Sequence, residues 1–280
     1  MVRRFGLGRV GDKAGGLAGA VRSEPTMFLG RMDMRKIGGS FVGAGAAAGR
    51  ADMGDLLQDD LAWHFRADQG ITVDGSDDVT AWLDWKGGSA GSISLTGTST
   101  TYPAYTSDGT VGTLAEAGYM TFDGVNDILK STSVTVASQP IHVFFVFKPL
   151  SWTVNDSFFS GKGGGTTSVH FNQGPTTPKA RFASGTTGDG DQDFTLDEWS
   201  LMIGLANSTS SSCARNDGTA LSDGNNQTLA MEQGFFLGAQ AAIVQFAHVV
   251  VSELAIYDAD KTDSGLTAIK AYFNDQYGLW

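Results

Sequence analysis

The sequence predicts an all-β protein: a two-sheet antiparallel sandwich with one C-terminal helix and an extended N-terminal arm. Three observations carry this. From about residue 56 onward, short alternating apolar segments recur, each bounded by Gly, Asp, Asn or Ser. Two of them, residues 141–150 and 246–257, are almost continuously apolar, as expected of strands covered on both faces. Helical spacing occurs once, near the end of the chain.

The chain has 280 residues, 41% of them hydrophobic. That suffices for one large core, and β-sandwiches of roughly 200–250 residues commonly form a single domain. Cys213 is the single cysteine and cannot form an internal disulfide, so packing must supply the stability. Charge is unevenly spread: residues 1–50 hold nine Lys and Arg against three acids, and the remainder holds ten against 27. A basic arm, residues 1–55, therefore precedes an acidic body, residues 56–280.

The arm begins with arginines and small residues, as a secretion signal does. Its apolar run is broken by Gly8, Arg9, Gly11, Asp12 and Lys13, so no signal peptide is expected, and no window is apolar enough for a membrane span. The stretch "KIGGSFVGAGAAAGRADMG" reads as a linker. Ordering it costs about 1–2 kcal/mol per residue. A partner surface is the expected source of that order, taking up Phe5 and Phe28 together with Arg3, Arg4, Arg31, Arg35 and Lys36.

In the body, Trp63 and Phe65 share one face of the expected first strand, with Leu61 ahead of them. A turn at residues 74–78 leads to Val79, Trp82 and Trp85. "YMTFDGVNDIL" reads as two strands joined by a tight turn, in which Asp123 and Gly124 supply the turn and Phe122, Ile128 and Leu129 the core. A metal role for Asp123, Asn126 and Asp127 is the alternative. "GKGGG" lacks the order of a phosphate loop and reads as a hairpin. In the final segment Asp263 can cap a helix, Leu266, Ile269, Tyr272 and Phe273 share one face, and Gly278 ends it.

Candidate chemistry is sparse. Glycan hydrolases of the sandwich type need two carboxylates alternating on a strand, and no Glu-x-Asp-x-Glu pattern occurs. Asp189, Asp191 and Asp193 alternate in a glycine-flanked loop. They start like an EF-hand, but Phe194 and Ser200 stand where Gly and Glu belong, so calcium would need a different site geometry there. His64, His142, His170 and His248 lie in separate strand-like segments without metal-ligand spacing. Three loops offer groups of the kind that hold sugars: Trp152, Asn155 and Asp156 in one, the acidic "TTGDGDQD" in a second, and Asn216, Asp217, Asp223, Asn225 and Asn226 in a third. An acidic body repels the phosphates of nucleic acid, so none is expected as its ligand.

The segments "WHFRADQGITVDGSDDVTAWLDWKG", "YMTFDGVNDIL" and "AHVVVSELAIYDADKTDSGLTAIKAYFNDQYGL" resemble, in this order, the signatures of concanavalin A-like (laminin G-type) jelly-roll domains. Such domains occur in bacteriophage virion proteins and bacterial surface proteins. Over residues 56–280 the resemblance implies a jelly roll of lectin-like build. It sets the functional expectation: a non-enzymatic virion protein, capsid decoration or head fibre. The arm would bind other virion proteins such as the major capsid protein, as a homo-oligomer on the particle surface. The alternative is a module of a tail fibre or cell surface that recognises a host glycan.

Overall fold

The protein's structure, a computed structural model, describes residues 59–86, 93–97, 100–131, 139–161, 169–175, 178–184, 191–222, 231, 234–240, 243–262 and 264–280. The arm, with Arg3, Arg4, Phe5, Phe28, Arg31, Arg35 and Lys36, lies outside the described residues, as do Asp189 and Asp263.

In chain order the first strands are β1 (Leu61–Arg66), β2 (Ile71–Val73), β3 (Val79–Leu83), β4 (Ser94–Thr96), β5 (Ala104–Val111) and β6 (Leu114–Asp123). Next come β7 (Leu129–Ser131), β8 (Ile141–Pro149), β9 (Ser157–Gly161), β10 (Val169–Gln173), β11 (Lys179–Ser184) and β12 (Gln192–Asp193). The last are β13 (Ser200–Ala206), β14 (Ser212–Arg215), β15 (Leu221–Ser222), β16 (Phe235–Leu237) and β17 (His248–Tyr257), followed by the C-terminal helix Ser264–Tyr277. They form two antiparallel sheets, as expected. The first has eight strands in the order β15-β14-β13-β8-β17-β6-β5, with β1 beside the second half of β17; the other has nine, β12-β11-β10-β9-β16-β7-β4-β3-β2.

Aromatic rings fill the space between the sheets. Phe147 of the first sheet meets Phe158 of the second at 5.0 Å between ring centres, and Phe145 stacks on Phe171 at 6.2 Å. Strand alternation supplies these rings from both inner faces. Gly204, at the centre of β13, leaves room for them: a Cβ there would lie 2.3 Å from the Phe182 ring. As predicted, β8 and β17 are buried along nearly their whole length.

The outer face of the first sheet is covered by the C-terminal helix. Ile269, Tyr272, Phe273 and Tyr277 pack on Phe144, Val146, Leu201, Ile203 and Ala255. The helix ends at Gly278, whose φ of +57° suits glycine and whose N–H donates to the Asn274 carbonyl at 2.7 Å. Beneath it lies a buried polar cluster. Glu253 accepts from the Tyr272 hydroxyl at 2.9 Å and from the Tyr277 hydroxyl, and lies 2.6 Å from His64 Nε2.

Trp63 and Phe65 share the inter-sheet core as expected, and a register irregularity in β1 sends Leu61, ahead of them, toward the helix side. One local expectation is corrected: Asp123–Asp127 is no hairpin turn, because β6 belongs to the first sheet and β7 to the second. Phe122 and Leu129 are both fully buried in the shared core, but they face it from opposite sheets. An apolar alternation reads the same whether two strands lie side by side or across a core.

That corner is stitched by its own carboxylates. Asp123 Oδ1 accepts the N–H groups of Val125, Asn126 and Asp127 at 2.8, 3.1 and 3.3 Å, and Asp127 Oδ2 accepts that of Asp123 at 2.8 Å.

Candidate functional site

Two of the three predicted sugar-binding loops, the one with Trp152, Asn155 and Asp156 and the one with Asn216 and Asp217, fall at the same end of the sandwich; Asp223, Asn225 and Asn226 lie outside the described residues. Ser200 pairs with Phe147 and Met202 with Arg215, so the end of β8 and the turn after β14 point the same way. The loop after β8 crosses to the second sheet and is tied to Gln173. Thr153 N–H donates to the Gln173 side-chain oxygen, Gln173 Nε2 donates to the Ser151 carbonyl at 3.0 Å, and Asn155 N–H to the Gln173 carbonyl at 2.9 Å. Trp152 is half-buried against the inter-sheet core, so its ring closes that end and offers no broad open platform. Asn155 is exposed at φ +70°, and burial pushes the Asp156 carboxyl above its ordinary pKa.

Asn216 and Asp217 are differently used. The Asn216 side-chain oxygen accepts the Leu201 N–H at 2.8 Å and its amide donates to the Leu279 carbonyl at 3.4 Å, which fastens the β13–β14 hairpin to the chain terminus. Asp217 is exposed beside it. Of the proposed metal-binding acids, Asp191 accepts from Arg181 Nε at 2.8 Å and Asp193 lies 3.4 Å from Lys179 Nζ. Among the described residues no three His, Cys, Asp or Glu converge to hold a metal. No helix among them is long and apolar enough to cross a membrane.

A different set of residues stands together on the outer face of the second sheet. Phe171 of β10 points inward, its ring against Phe145, Phe159 and Phe182. His170 and Asn172, one residue to either side, therefore share the outer face. Across the ladders His170 opposes Ser160, and Asn172 opposes Ser157 on one side and Arg181 on the other. Directly opposed side chains lie about 5 Å apart.

This row holds an unusual concentration of unsatisfied groups. Ser157 is fully buried, and His170 and Asn172 are each 8% exposed. Ser157 Oγ, His170 Nδ1 and Asn172 Oδ1 are buried atoms without a hydrogen-bond partner. Each such atom costs about 1–3 kcal/mol unless something bonds to it. Burial, and then the charge of Arg181, push His170 down to a pKa of about 4, so the ring is neutral at neutral pH. The cations beside it are balanced: Arg181 by Asp191, Lys179 by Asp193.

Sequence reasoning missed this row. In "SVHFNQ" and "KARFAS" the polar residues alternate with apolar ones, which places His170, Asn172 and Arg181 on one face. Nothing in a sequence announces that polar atoms on that face are buried and unpartnered.

No family model matches the sequence, and neither does any curated protein. Solved structures share its fold. Domain 4 of AbnA, a GH43 extracellular arabinanase from Geobacillus stearothermophilus, in complex with arabinotriose, superposes with a TM-score of 0.51 at 18% identity over 70% of this chain and 91% of that one. The Trypanosoma rangeli sialidase in complex with sialic acid gives 0.52 at 10% identity, and a GH54 α-L-arabinofuranosidase 0.55 at 10%. They cover 86% and 78% of this chain, which spans only 36% and 59% of theirs. At such identities the likeness is one of fold, a sandwich of the type found in carbohydrate-active proteins.

These neighbours overturn the expected function. Each is, or is part of, a carbohydrate-active enzyme, and none of the three is a virion component, so the reading as a non-enzymatic capsid decoration or head fibre is corrected. The expectation that the chain is no enzyme is withdrawn with it. The glycan alternative stands closer to the findings.

Proposed function

We propose that the chain is a glycan-recognising β-sandwich domain whose sugar-binding surface is the outer face of the second sheet, centred on His170 and Asn172. The observation that carries this is the row of buried, unpartnered Ser157 Oγ, His170 Nδ1 and Asn172 Oδ1 on neighbouring strands. A fold gains no stability from three such atoms in one patch, whereas sugar hydroxyls that displace what covers the row can bond to them. The resemblance to concanavalin A-like domains and the arabinotriose held by the arabinanase domain support this reading.

Affinity electrophoresis of the full chain through gels containing soluble polysaccharides tests it, with released reducing sugar measured in parallel to detect hydrolysis. Loss of one bonded group is worth about 1.4 kcal/mol, so Asn172→Ala and His170→Ala should each weaken retardation about tenfold without lowering the melting temperature. Retardation unchanged in both variants would place the binding surface elsewhere, with the loop of Trp152, Asn155 and Asp156 next in line.

A further inference from the structure

The groups on this face also select among glycans, an inference that rests on the glycan reading above. All three unpartnered atoms can accept a hydrogen bond, His170 Nδ1 in the tautomer protonated at Nε2. Asn172 Oδ1 only accepts, a neutral imidazole has one accepting nitrogen, and Ser157 Oγ accepts as readily as it donates. Such a row wants donors, and sugar hydroxyls are donors.

A carboxylate or sulfate wants the reverse: positive charge and N–H groups free to donate. The cation nearest the row, Arg181, opposes Asn172 and already donates through Nε to Asp191, and Lys179 on the same strand face lies 3.4 Å from Asp193. Lys130 also lies in this sheet, but on β7, separated from β9 by Phe236 of β16. The long-range field opposes polyanions too, because residues 51–280 hold 27 acids against ten Lys and Arg.

We infer that the ligand is a neutral glycan, bound through its hydroxyl groups, and that the Arg181–Asp191 pair on this face excludes acidic glycans. Asp191 then acts as a specificity residue by occupying the guanidinium.

The full chain is run through gels of neutral arabinan, galactan and β-glucan, and of acidic polygalacturonate and alginate. The expected result is retardation by at least one neutral polymer, weakened in Asn172→Ala, with no retardation by the acidic ones. Asp191→Asn leaves Arg181 uncommitted, and a charge-assisted bond should then strengthen binding of polygalacturonate about tenfold. Retardation by acidic polymers alone, or by both classes equally, overturns the neutral preference and leaves the glycan reading in place. Retardation by none overturns both. Should Asp191→Asn lower the melting temperature, Arg181→Gln supplies the second arm: neutral binding is retained under this inference and lost if the guanidinium itself contacts the sugar.

Discussion

Asp127 shows how much one side chain can differ from its type. Burial, and then the neighbouring charges of Asp123 and Asp78, push its carboxyl up to about 6, despite the N–H bond from Asp123 that works the other way. Asp123 moves oppositely: burial alone would raise it, but three backbone N–H groups hold it below the usual carboxylate range. An acid whose folded pKa is raised binds its proton more tightly when folded, so it weakens the fold at high pH and ceases to do so as pH falls through about 6. Asp127→Asn should therefore raise the melting temperature at pH 7.5 and lose that advantage by pH 4. An equal gain at both values would show that charge is not the cause. The sequence marked these residues as a turn. It could not show that the turn joins two sheets, since Phe122 and Leu129 carry the same apolar signal in either arrangement.

At the scale of elements, the C-terminal helix is held by polar contacts as well as by its apolar stripe. The stripe was legible, because Leu266, Ile269, Tyr272 and Phe273 repeat at helical spacing. The clasp was not, because it joins His64 of β1 and Glu253 of β17 to Tyr272 and Tyr277, and 189 residues separate the first two. Removing one member of such a buried cluster typically costs about 3–5 kcal/mol, since the remaining polar groups stay out of water. Glu253→Ala should lower the unfolding free energy by about that amount in urea titration. Tyr272→Phe, which removes one hydroxyl and keeps the ring, should cost about 1–2 kcal/mol. Equal losses in the two variants would assign the whole effect to the Tyr272–Glu253 bond, and a negligible loss in both would mean that the rings, not the carboxylate, hold the helix down. Gly204 belongs at this scale too: Gly204→Val in β13 should destabilise strongly, as it drives a branched side chain into the Phe182 ring.

For the whole molecule, acid should be the weak direction. Burial pushes His142 down to about 4, helped by the charges of Lys270 and Lys261 and opposed by that of Asp260, and burial with Arg181 does the same to His170. A base whose folded pKa is depressed charges in the unfolded chain first, so its stabilisation is intact above about 6.5 and is lost as pH falls toward 4. Unfolding free energy should fall over that window, and His142→Gln should flatten part of the slope. An unchanged slope in that variant would assign the loss to other groups. The sandwich itself was legible, because alternation and continuous apolar runs are direct consequences of which faces are covered. The row of buried, unpartnered polar atoms was not, because the juxtaposition of side chains on β9, β10 and β11 exists only after the sheet has formed.

The pairing of β1 with the second half of β17 has a consequence for how the protein is made. On the ribosome β1 emerges long before its partner exists, and its ladder cannot close until Glu253–Tyr257 has followed. Until then β1 is an apolar edge with unsatisfied backbone groups. Such long-range pairing makes folding slow and defers its completion until β17 has been made. A nascent chain arrested before β17 should stay open to protease and bind chaperones, whereas one that extends past the C-terminal helix should gain protection in a single step.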